Sequence, residues 1–161
     1  MNPSSQIIFK ERQTFSRLWF LLILFLVPVL VYTKFQGEGV DFVDLLISIS
    51  VIVGLSVLFV FSKLETTITY NEIQYRLFPF QWNMRKISKD QIAEAFVRKY
   101  SPLFEYGGWG LRWGINGKAI NIRGNMGIQV VLKSGSRILI GTSNALGAKK
   151  ALEKLTEHPT T

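Results

Sequence analysis

Residues 45–62 read LLISISVIVGLSVLFVFS, eighteen residues without one charged side chain. An earlier block, residues 18–32, reads LWFLLILFLVPVLVY and is also uncharged. A helix that spans a bilayer needs ~20 predominantly apolar residues, and flanking residues extend both blocks toward that length. Neither block has the polar face of a helix on the surface of a soluble protein. The sequence therefore predicts a transmembrane hairpin over 18–62, with helices at about 15–35 and 42–62.

The basic residues around these blocks predict an orientation. Lysine and arginine lie before the first block and resume after the second at Lys63, whereas the connecting loop has only Lys34. The positive-inside rule then places both termini in the cytoplasm. A cleaved signal peptide is the alternative, but no small-residue cleavage site precedes the second block. We expect a multi-pass protein of the cell (inner or plasma) membrane, with residues 1–17 as a cytoplasmic N-terminal segment.

The charge of the chain lies in its C-terminal part. Residues 63–161 hold fifteen of the 19 Lys and Arg residues against seven Asp and Glu, which equals the net charge of +8 for the whole chain. An excess of basic residues usually binds nucleic acid or anionic lipid, and a membrane anchor favours anionic lipid headgroups as the partner. We expect no nucleic-acid partner. The absence of cysteine excludes disulfides and thiolate metal sites.

The hydrophobic pattern changes to a period of two after the second block, which is typical of strands. Turn dipeptides, among them Asn71-Glu72, Asn116-Gly117 and Ser134-Gly135, separate the alternating segments. About seven antiparallel strands follow one another, the pattern of a sandwich or a barrel. The predicted strand segments are 66–70, 73–78, 82–87, 92–100, 111–115, 118–123, 127–133 and 136–140.

The C-terminal segment predicts one amphipathic helix. Ala148, Ala151, Leu152 and Leu155 fall at helical spacing, and Thr142, Ser143 or Asn144 can cap the helix. Strands closed by such a helix have the order of a pleckstrin-homology (PH) domain. The predicted fold class is thus a membrane α-helical hairpin plus an all-β PH-like barrel or sandwich capped by a C-terminal α-helix. The PH-like domain occupies 63–157 and a tail occupies 158–161.

Two stretches carry a likeness to a known family. They are RKYSPLFEYGGWGLRWG at 98–114 and KAINIRGNMGIQVVLKSGSRILIGT at 118–142. The chain resembles small bacterial membrane proteins that pair a two-helix anchor with a bacterial PH-like domain, over roughly residues 65–155. The resemblance implies the PH-like fold and leaves the function open. Eukaryotic PH domains often bind phosphoinositides through a basic loop between their first two strands, whereas Asn71-Glu72 is short and acidic, which argues against inositide binding there. The residues that carry the resemblance are Arg98, Tyr100, Pro102, Glu105, Tyr106, Gly107, Gly108, Trp109, Gly110, Arg112, Gly124, Asn125, Gly127, Ile140, Gly141 and Thr142.

Catalytic constellations are missing from the sequence. The single histidine, His158, lies near the C-terminus, and no cluster of ligating residues has metal spacing. The glycine-rich GGWGLRWG lacks the Gly-Lys-Ser/Thr ending of a phosphate loop, so its glycines are expected to let the chain turn beside Trp109 and Trp113. Glu105 and Arg112 flank this loop and are expected to form a structural ion pair. We predict no enzyme activity, no cofactor and no metal.

The stretch LFPFQWNMRK, residues 77–86, is the best functional candidate. Aromatic rings alternate around Pro79, and two cations follow them. Such a pattern suits a membrane interface or a stacking surface, although the rings could instead fill the core. Together with the glycine-rich loop, this stretch gives the predicted lipid- or partner-binding residues: Trp82, Arg85, Lys86, Trp109 and Arg112.

These patterns predict a non-enzymatic, membrane-anchored PH-like binding module at the cytoplasmic face. It would recruit an unidentified protein partner or sense anionic lipid headgroups, with the lipid bilayer as an integral partner. The alternative is an accessory subunit of a membrane transport or envelope-maintenance complex. In that alternative the hairpin makes the specific contact through Ser50, Gly54 and the bend at Pro28.

Overall fold

A computed structural model describes residues 6–15, 25, 27–29, 31–32, 42–114 and 116–157 of the chain. The chain divides into two compact units, one made of Met1–Thr14 and Lys63–Thr161 and the other of Phe15–Ser62. Most of the first predicted helix lies outside the described residues. The same holds for the predicted tail at 158–161, including His158.

The smaller unit contains helix α1, Phe42–Phe61. Asp44 lies in its first turn, where the helix dipole favours a negative charge. The hydroxyls of Ser48 and Ser56 donate to carbonyl oxygens four residues earlier, at 2.8 and 2.6 Å, so both polar groups are satisfied within the helix.

The predicted transmembrane hairpin is not supported by these elements. In the part of the chain that the structure describes, no helix has both the length and the apolar character needed to cross a membrane. On this finding the transmembrane hairpin, the multi-pass membrane protein and the cell-membrane location with both termini in the cytoplasm are wrong.

The larger unit begins with a four-stranded antiparallel sheet in the order β1-β2-β3-β4. The strands are β1 Ile7–Thr14, β2 Lys63–Thr69, β3 Glu72–Phe78 and β4 Arg85–Ser88. The Thr69 hydroxyl accepts the Glu72 backbone N–H at 3.1 Å and so stabilises the turn between β2 and β3. The sequence pattern predicted no strand at β1, which pairs with β2 although almost fifty residues separate them.

A five-stranded sheet follows, in the order β5-β8-β9-β7-β6. Its strands are β5 Ile92–Lys99, β6 Gly110–Gly114, β7 Gly117–Asn121, β8 Met126–Leu132 and β9 Arg137–Gly141. A 3-10 turn, Lys89–Gln91, precedes β5, and the short helix α2, Pro102–Tyr106, lies between β5 and β6. Strands β7 and β9 pair in parallel, whereas the other neighbours are antiparallel.

Helix α3, Ala145–Glu157, completes the larger unit. Asn144 caps it, because its side-chain Oδ1 accepts the Gly147 N–H at 2.9 Å. The predicted apolar face is confirmed: its four residues are buried. The main core combines this face with aliphatic side chains of both sheets, chiefly Leu64, Ile68, Ile73, Leu77, Ile120, Ile128, Val130 and Ile140.

Side-chain hydrogen bonds connect strand β1 to the C-terminal end of β9 in the second sheet. The buried Gln13 amide donates to the Gly141 carbonyl oxygen at 2.7 Å. The Glu11 carboxylate accepts the Thr142 hydroxyl at 2.6 Å and the Ser143 N–H at 2.7 Å. Residues before the first apolar block are therefore part of the larger unit.

The predicted fold class needs correction beyond the hairpin. The described residues form nine strands in two sheets, instead of about seven antiparallel strands, and one pair is parallel. The predicted hairpins and the predicted C-terminal helix agree with the structure, because turn and cap residues close to them in the sequence determine them. The hairpins at Asn116-Gly117 and Ser134-Gly135 are confirmed by the pairing of β6 with β7 and of β8 with β9, and the C-terminal helix is confirmed.

Candidate functional site

One face of the five-stranded sheet, here called the outer face, carries a cavity of about 320 Å³. Alternate residues along a strand point to the same face, and pairing brings Phe96 of β5 beside Gln129 of β8. Strand β9 then adds Arg137 next to Val131. The cavity is lined by Glu94, Phe96, Arg98, Asn116, Gln129, Val131 and Arg137.

Arg98 and Asn116 form one wall of this cavity. Helix α2 lies against that wall, because its Glu105 bonds both residues, and two glycines let the helix lie there. Gly107 ends the helix in the left-handed conformation, with φ of 69°. A Cβ at Gly114 would collide with the Glu105 carbonyl oxygen and lie 2.9 Å from the Tyr106 ring. The absence of a side chain at Gly114 thus lets α2 pack closely on β6.

A small second core lies beneath α2. Tyr100 and Tyr106 pack with Ala119 and Leu139, and the two rings meet edge to face with centroids 6.1 Å apart. Aromatic pairs favour this geometry. Helix α2 is therefore held by packing as well as by its polar contacts.

Arg98 and Glu105 form the centre of a polar network on this wall. Arg98 Nη2 donates to the Glu105 carboxylate at 2.7 Å, and Arg98 Nε donates to Gln129 Oε1 at 3.0 Å. Glu105 also accepts the Ser101 N–H at 2.8 Å and the Asn116 side-chain amide at 3.2 Å. The network joins β5, β8, α2 and the β6–β7 turn, so it fixes the shape of the cavity wall.

The electrostatics of this network keep its charges constant near neutral pH. The hydrogen bond from Arg98 holds the pKa of Glu105 below its usual value, and the hydrogen bond to Glu105 raises the pKa of Arg98. Burial raises the pKa of Tyr106 and takes the pKa of Tyr100 to about 12. A general acid or base works best with a pKa near the working pH, and each of these shifts leads away from neutrality. These pKa shifts therefore favour a permanently charged ion pair over proton transfer at neutral pH.

Two charged side chains of the cavity, Glu94 and Arg137, form no ion pair within the described ranges. In the sheet register Glu94 faces Val131, and Val131 faces Arg137. Neighbouring strands lie ≈ 4.8 Å apart, so the two backbone positions are separated by roughly 10 Å with an apolar residue between them. The cavity therefore offers one anionic and one cationic contact on either side of an apolar strip.

Helix α2 also presents apolar side chains to solvent. Leu103 is 61% exposed and Phe104 is 94% exposed, next to the Glu105 that anchors the helix to Arg98. Exposed large apolar groups on a fixed element are typical of interaction sites.

The glycine-loop residues predicted for the site, Trp109 and Arg112, lie together. Arg112 Nε donates to the Trp109 carbonyl oxygen at 3.2 Å, and the Trp109 indole N–H donates to the Gly124 carbonyl oxygen at 3.2 Å. The expected ion pair between Glu105 and Arg112 is wrong, because Glu105 pairs with Arg98. Both predicted residues are thus engaged in shaping the loop.

The other three predicted site residues lie at the end of the first sheet. Trp82 is 73% exposed and meets the Phe78 ring edge to face at 5.3 Å, and Phe80 is exposed as well, so these two rings do not fill the core. Arg85 and Lys86 are consecutive on β4 and point to opposite faces. Lys86 lies 3.6 Å from the Glu72 carboxylate, whereas Arg85 faces Tyr75 across the strand pair.

Sequence reasoning missed most of the cavity residues. Glu94, Gln129 and Arg137 come from three strands, and only the alternation of Glu94, Phe96 and Arg98 on one strand hinted at a shared face. The pairing of β5 with β8 has no local signal, whereas the Ser134-Gly135 turn predicts the pairing of β8 with β9. Within the residues covered by the structure, no three His, Cys, Asp or Glu side chains are grouped to hold a metal ion.

Comparisons with family models, with curated proteins and with solved structures find no match for this chain.

Proposed function

We propose that the larger unit is a non-enzymatic binding module that recruits a protein partner through the cavity on the outer face. The observation that carries this function is the pair of uncompensated opposite charges, Glu94 and Arg137, across Val131. The occupant is a polypeptide segment with an acidic side chain for Arg137 and a basic side chain for Glu94.

The preorganised wall supports binding. Arg98 is already held by Glu105 and Gln129, so a partner pays little ordering entropy on that side of the cavity. Glu94 and Arg137 form no ion pair within the described residues, so both can form ion pairs with a partner of complementary charge.

The edge of the sheet adds a second feature of peptide sites. Strand β5 is the first strand in the order β5-β8-β9-β7-β6, so among the residues that the structure describes one of its sides has no strand neighbour in that sheet. An extended segment that lies along an edge strand gains main-chain hydrogen bonds, while pockets for alternate side chains supply specificity. Glu94, Phe96 and Arg98 are such alternate positions, and all three line the cavity.

Site-specific photocrosslinking in intact cells tests this function with the full chain. A photoreactive phenylalanine analogue replaces Phe96 in the cavity, and a matched chain carries it at the exposed Lys133 in the β8–β9 turn. We expect a discrete protein adduct from position 96. The substitution Arg137→Glu should reduce that adduct ~10-fold or more, since a like-charge contact costs several kcal/mol, whereas Lys133→Glu should leave it unchanged.

Two results would contradict the proposed function. One is an adduct at position 96 whose yield is the same in the Arg137→Glu and Lys133→Glu chains. The other is the absence of any adduct at position 96 when Glu94 and Arg137 are intact and the protein is folded by circular dichroism.

A further inference from the structure

The open edge of the second sheet carries a sequence that can pair with a copy of itself. Strand β5 reads IAEAFVRK and is first in the strand order of its sheet, so within the described residues only one of its sides is paired with a strand. Glu94 lies two residues before Phe96, and Arg98 lies two residues after it. A two-fold axis at Phe96 therefore sets Glu94 of each copy opposite Arg98 of the other. Such a two-fold contact is the commonest way in which identical chains associate.

The backbone of β5 has the right direction for this pairing. Just after the strand, the Tyr100 N–H donates to the Asn125 carbonyl oxygen at 2.9 Å, on the side of β8. Because backbone groups alternate in direction along a strand, those of Phe96 also point toward β8, while those of Ala95 and Val97 point to the open side. In an antiparallel pair centred on Phe96, Ala95 faces Val97 of the second copy, and these two residues can exchange both main-chain hydrogen bonds.

Arg98 keeps a hydrogen-bond donor at this open side. Its guanidinium has one N–H at Nε and a pair of N–H groups at each Nη. Nε donates to Gln129, Nη2 donates to Glu105 and Tyr106, and Nη1 donates to the Lys99 carbonyl oxygen at 3.3 Å. The Lys99 carbonyl belongs to the groups that point away from β8, so Nη1 lies at the edge of the sheet. The second N–H of Nη1 has no acceptor among the residues that the structure describes.

Glu94 and Phe96 complete the self-complementary pattern. Glu94 is exposed and forms no ion pair with any described residue, so it can accept from Arg98 of the second copy. Phe96 is 37% exposed, and at the axis its ring meets the same ring of the second copy. Opposite-charge pairs and aromatic pairs both stabilise neighbouring antiparallel strands. An axis at Glu94 or at Arg98 would set like charges opposite each other, so the charges select the register centred on Phe96.

We infer that two copies of this chain associate by antiparallel pairing of their β5 strands about Phe96. The pairing occupies Glu94 and the edge that the proposed partner also uses, so a second copy and that partner exclude each other there. This consequence for recruitment rests on the proposed function, whereas the self-pairing itself does not.

Cysteine crosslinking tests the pairing with the purified full chain. The chain contains no cysteine, so one introduced cysteine reports on one position. Opposed residues of a non-hydrogen-bonded antiparallel pair have Cα atoms about 4.5 Å apart, which is within disulfide range. Oxidation of Phe96→Cys should therefore give a disulfide-linked dimer. Lys99→Cys is the matched control on the same strand: residue 99 is exposed, but its two copies would lie roughly 20 Å apart and should not link.

A charge variant tests the register. Glu94→Arg in the Phe96→Cys chain sets an arginine opposite Arg98 and should lower the yield of linked dimer ~10-fold or more, because like charges across an interface are strongly unfavourable. Glu153→Arg, the same substitution at an exposed position of α3, should change the yield by less than about twofold. Sedimentation gives a reading without any cysteine: the native chain should be a dimer and the Glu94→Arg chain a monomer.

Three results overturn the inference. One is an equal yield of linked dimer from Phe96→Cys and Lys99→Cys, and another is an equal reduction by Glu94→Arg and Glu153→Arg. The third is the same mass for the native and Glu94→Arg chains in sedimentation, with every variant folded by circular dichroism. These measurements need no other protein, so their failure leaves the proposed function standing. That function fails separately, when no adduct with another protein forms in cells.

Discussion

The stability of the cavity wall depends on the charge of Glu105. The substitution Glu105→Gln keeps the shape of the side chain but replaces its ion pair with Arg98 by a neutral contact. The carboxylate accepts hydrogen bonds from Arg98 at 2.7 Å and from the Ser101 N–H at 2.8 Å. A hydrogen bond to a charged group contributes ~1.5–3 kcal/mol, and Arg98 retains its bond to Gln129, so we expect a loss of about 2 kcal/mol. With a urea slope of ~2 kcal/mol/M, the unfolding midpoint should fall by roughly 1 M.

The pH dependence of this loss separates charge from packing. Glu105 has a folded-state pKa below 4.5, so its stabilisation is complete above 4.5 and disappears as the pH falls through the lower folded-state value. The difference in unfolding free energy between the native chain and Glu105→Gln should therefore be full at pH ~7 and should shrink as the pH is lowered below 4.5. Urea titrations at neutral pH and at a series of pH values below 4.5, followed by tryptophan fluorescence, measure it. Glu94→Gln, which breaks no ion pair, is the control.

A difference that stays the same size across the whole acid series would refute the reasoning, because it would mean that Glu105 acts through packing. A midpoint at neutral pH as high in Glu105→Gln as in Glu94→Gln would refute it too. Acid weakens the native chain through other groups as well: the pKa of Glu65 is also lowered, where hydrogen bonding and charge from Arg76 outweigh the opposing burial, which is the largest single cause. For that reason the informative quantity is the difference between chains at each pH.

Two further changes test the placement of α2 and of β1. Gly114→Ala forces a Cβ against the Glu105 carbonyl oxygen and should cost ~1–3 kcal/mol of unfolding free energy in urea titrations; a loss below ~0.5 kcal/mol would mean that α2 does not lie against β6. Deleting residues 1–14 removes β1 with the bonds of Glu11 and Gln13, and should raise amide exchange throughout β2; unchanged protection of β2 would show that β1 does not pair there.

Strands next to a recognisable turn could be predicted from the sequence, whereas strand β1 could not. Its residues 7–14, IIFKERQT, place Phe9 and Gln13 on the buried face. That pattern is short and mostly polar, and its charges also fit the flank of an apolar block. Its partner β2 lies beyond that block, so only tertiary pairing gives the strand a reason to form. The parallel pairing of β7 with β9 is equally non-local.

The residues of the candidate site could be predicted only in part from the sequence. Arg85 was singled out because it follows an aromatic run, and it faces Tyr75 across the β3–β4 pair. Trp113 and Lys118 belong to the other sheet, and their cross-strand contact follows from the Asn116-Gly117 turn. The pairing of Glu105 with Arg98 instead of Arg112 follows from α2, which turns the chain back over β5.

The β6–β7 hairpin contacts the cavity wall on one face and carries a cation–π pair on the other. Gly114 lies under Glu105 on the outer face, and the next residue back, Trp113, points the other way toward Lys118. The turn residue Asn116 bonds Glu105 at the cavity wall. Because neighbouring residues alternate between faces, a substitution at Lys118 removes charge from the opposite face without entering the cavity. Crosslinking from Phe96 should therefore survive Lys118→Met. Loss of the adduct in a folded Lys118→Met chain would show that the partner also contacts the face opposite the cavity.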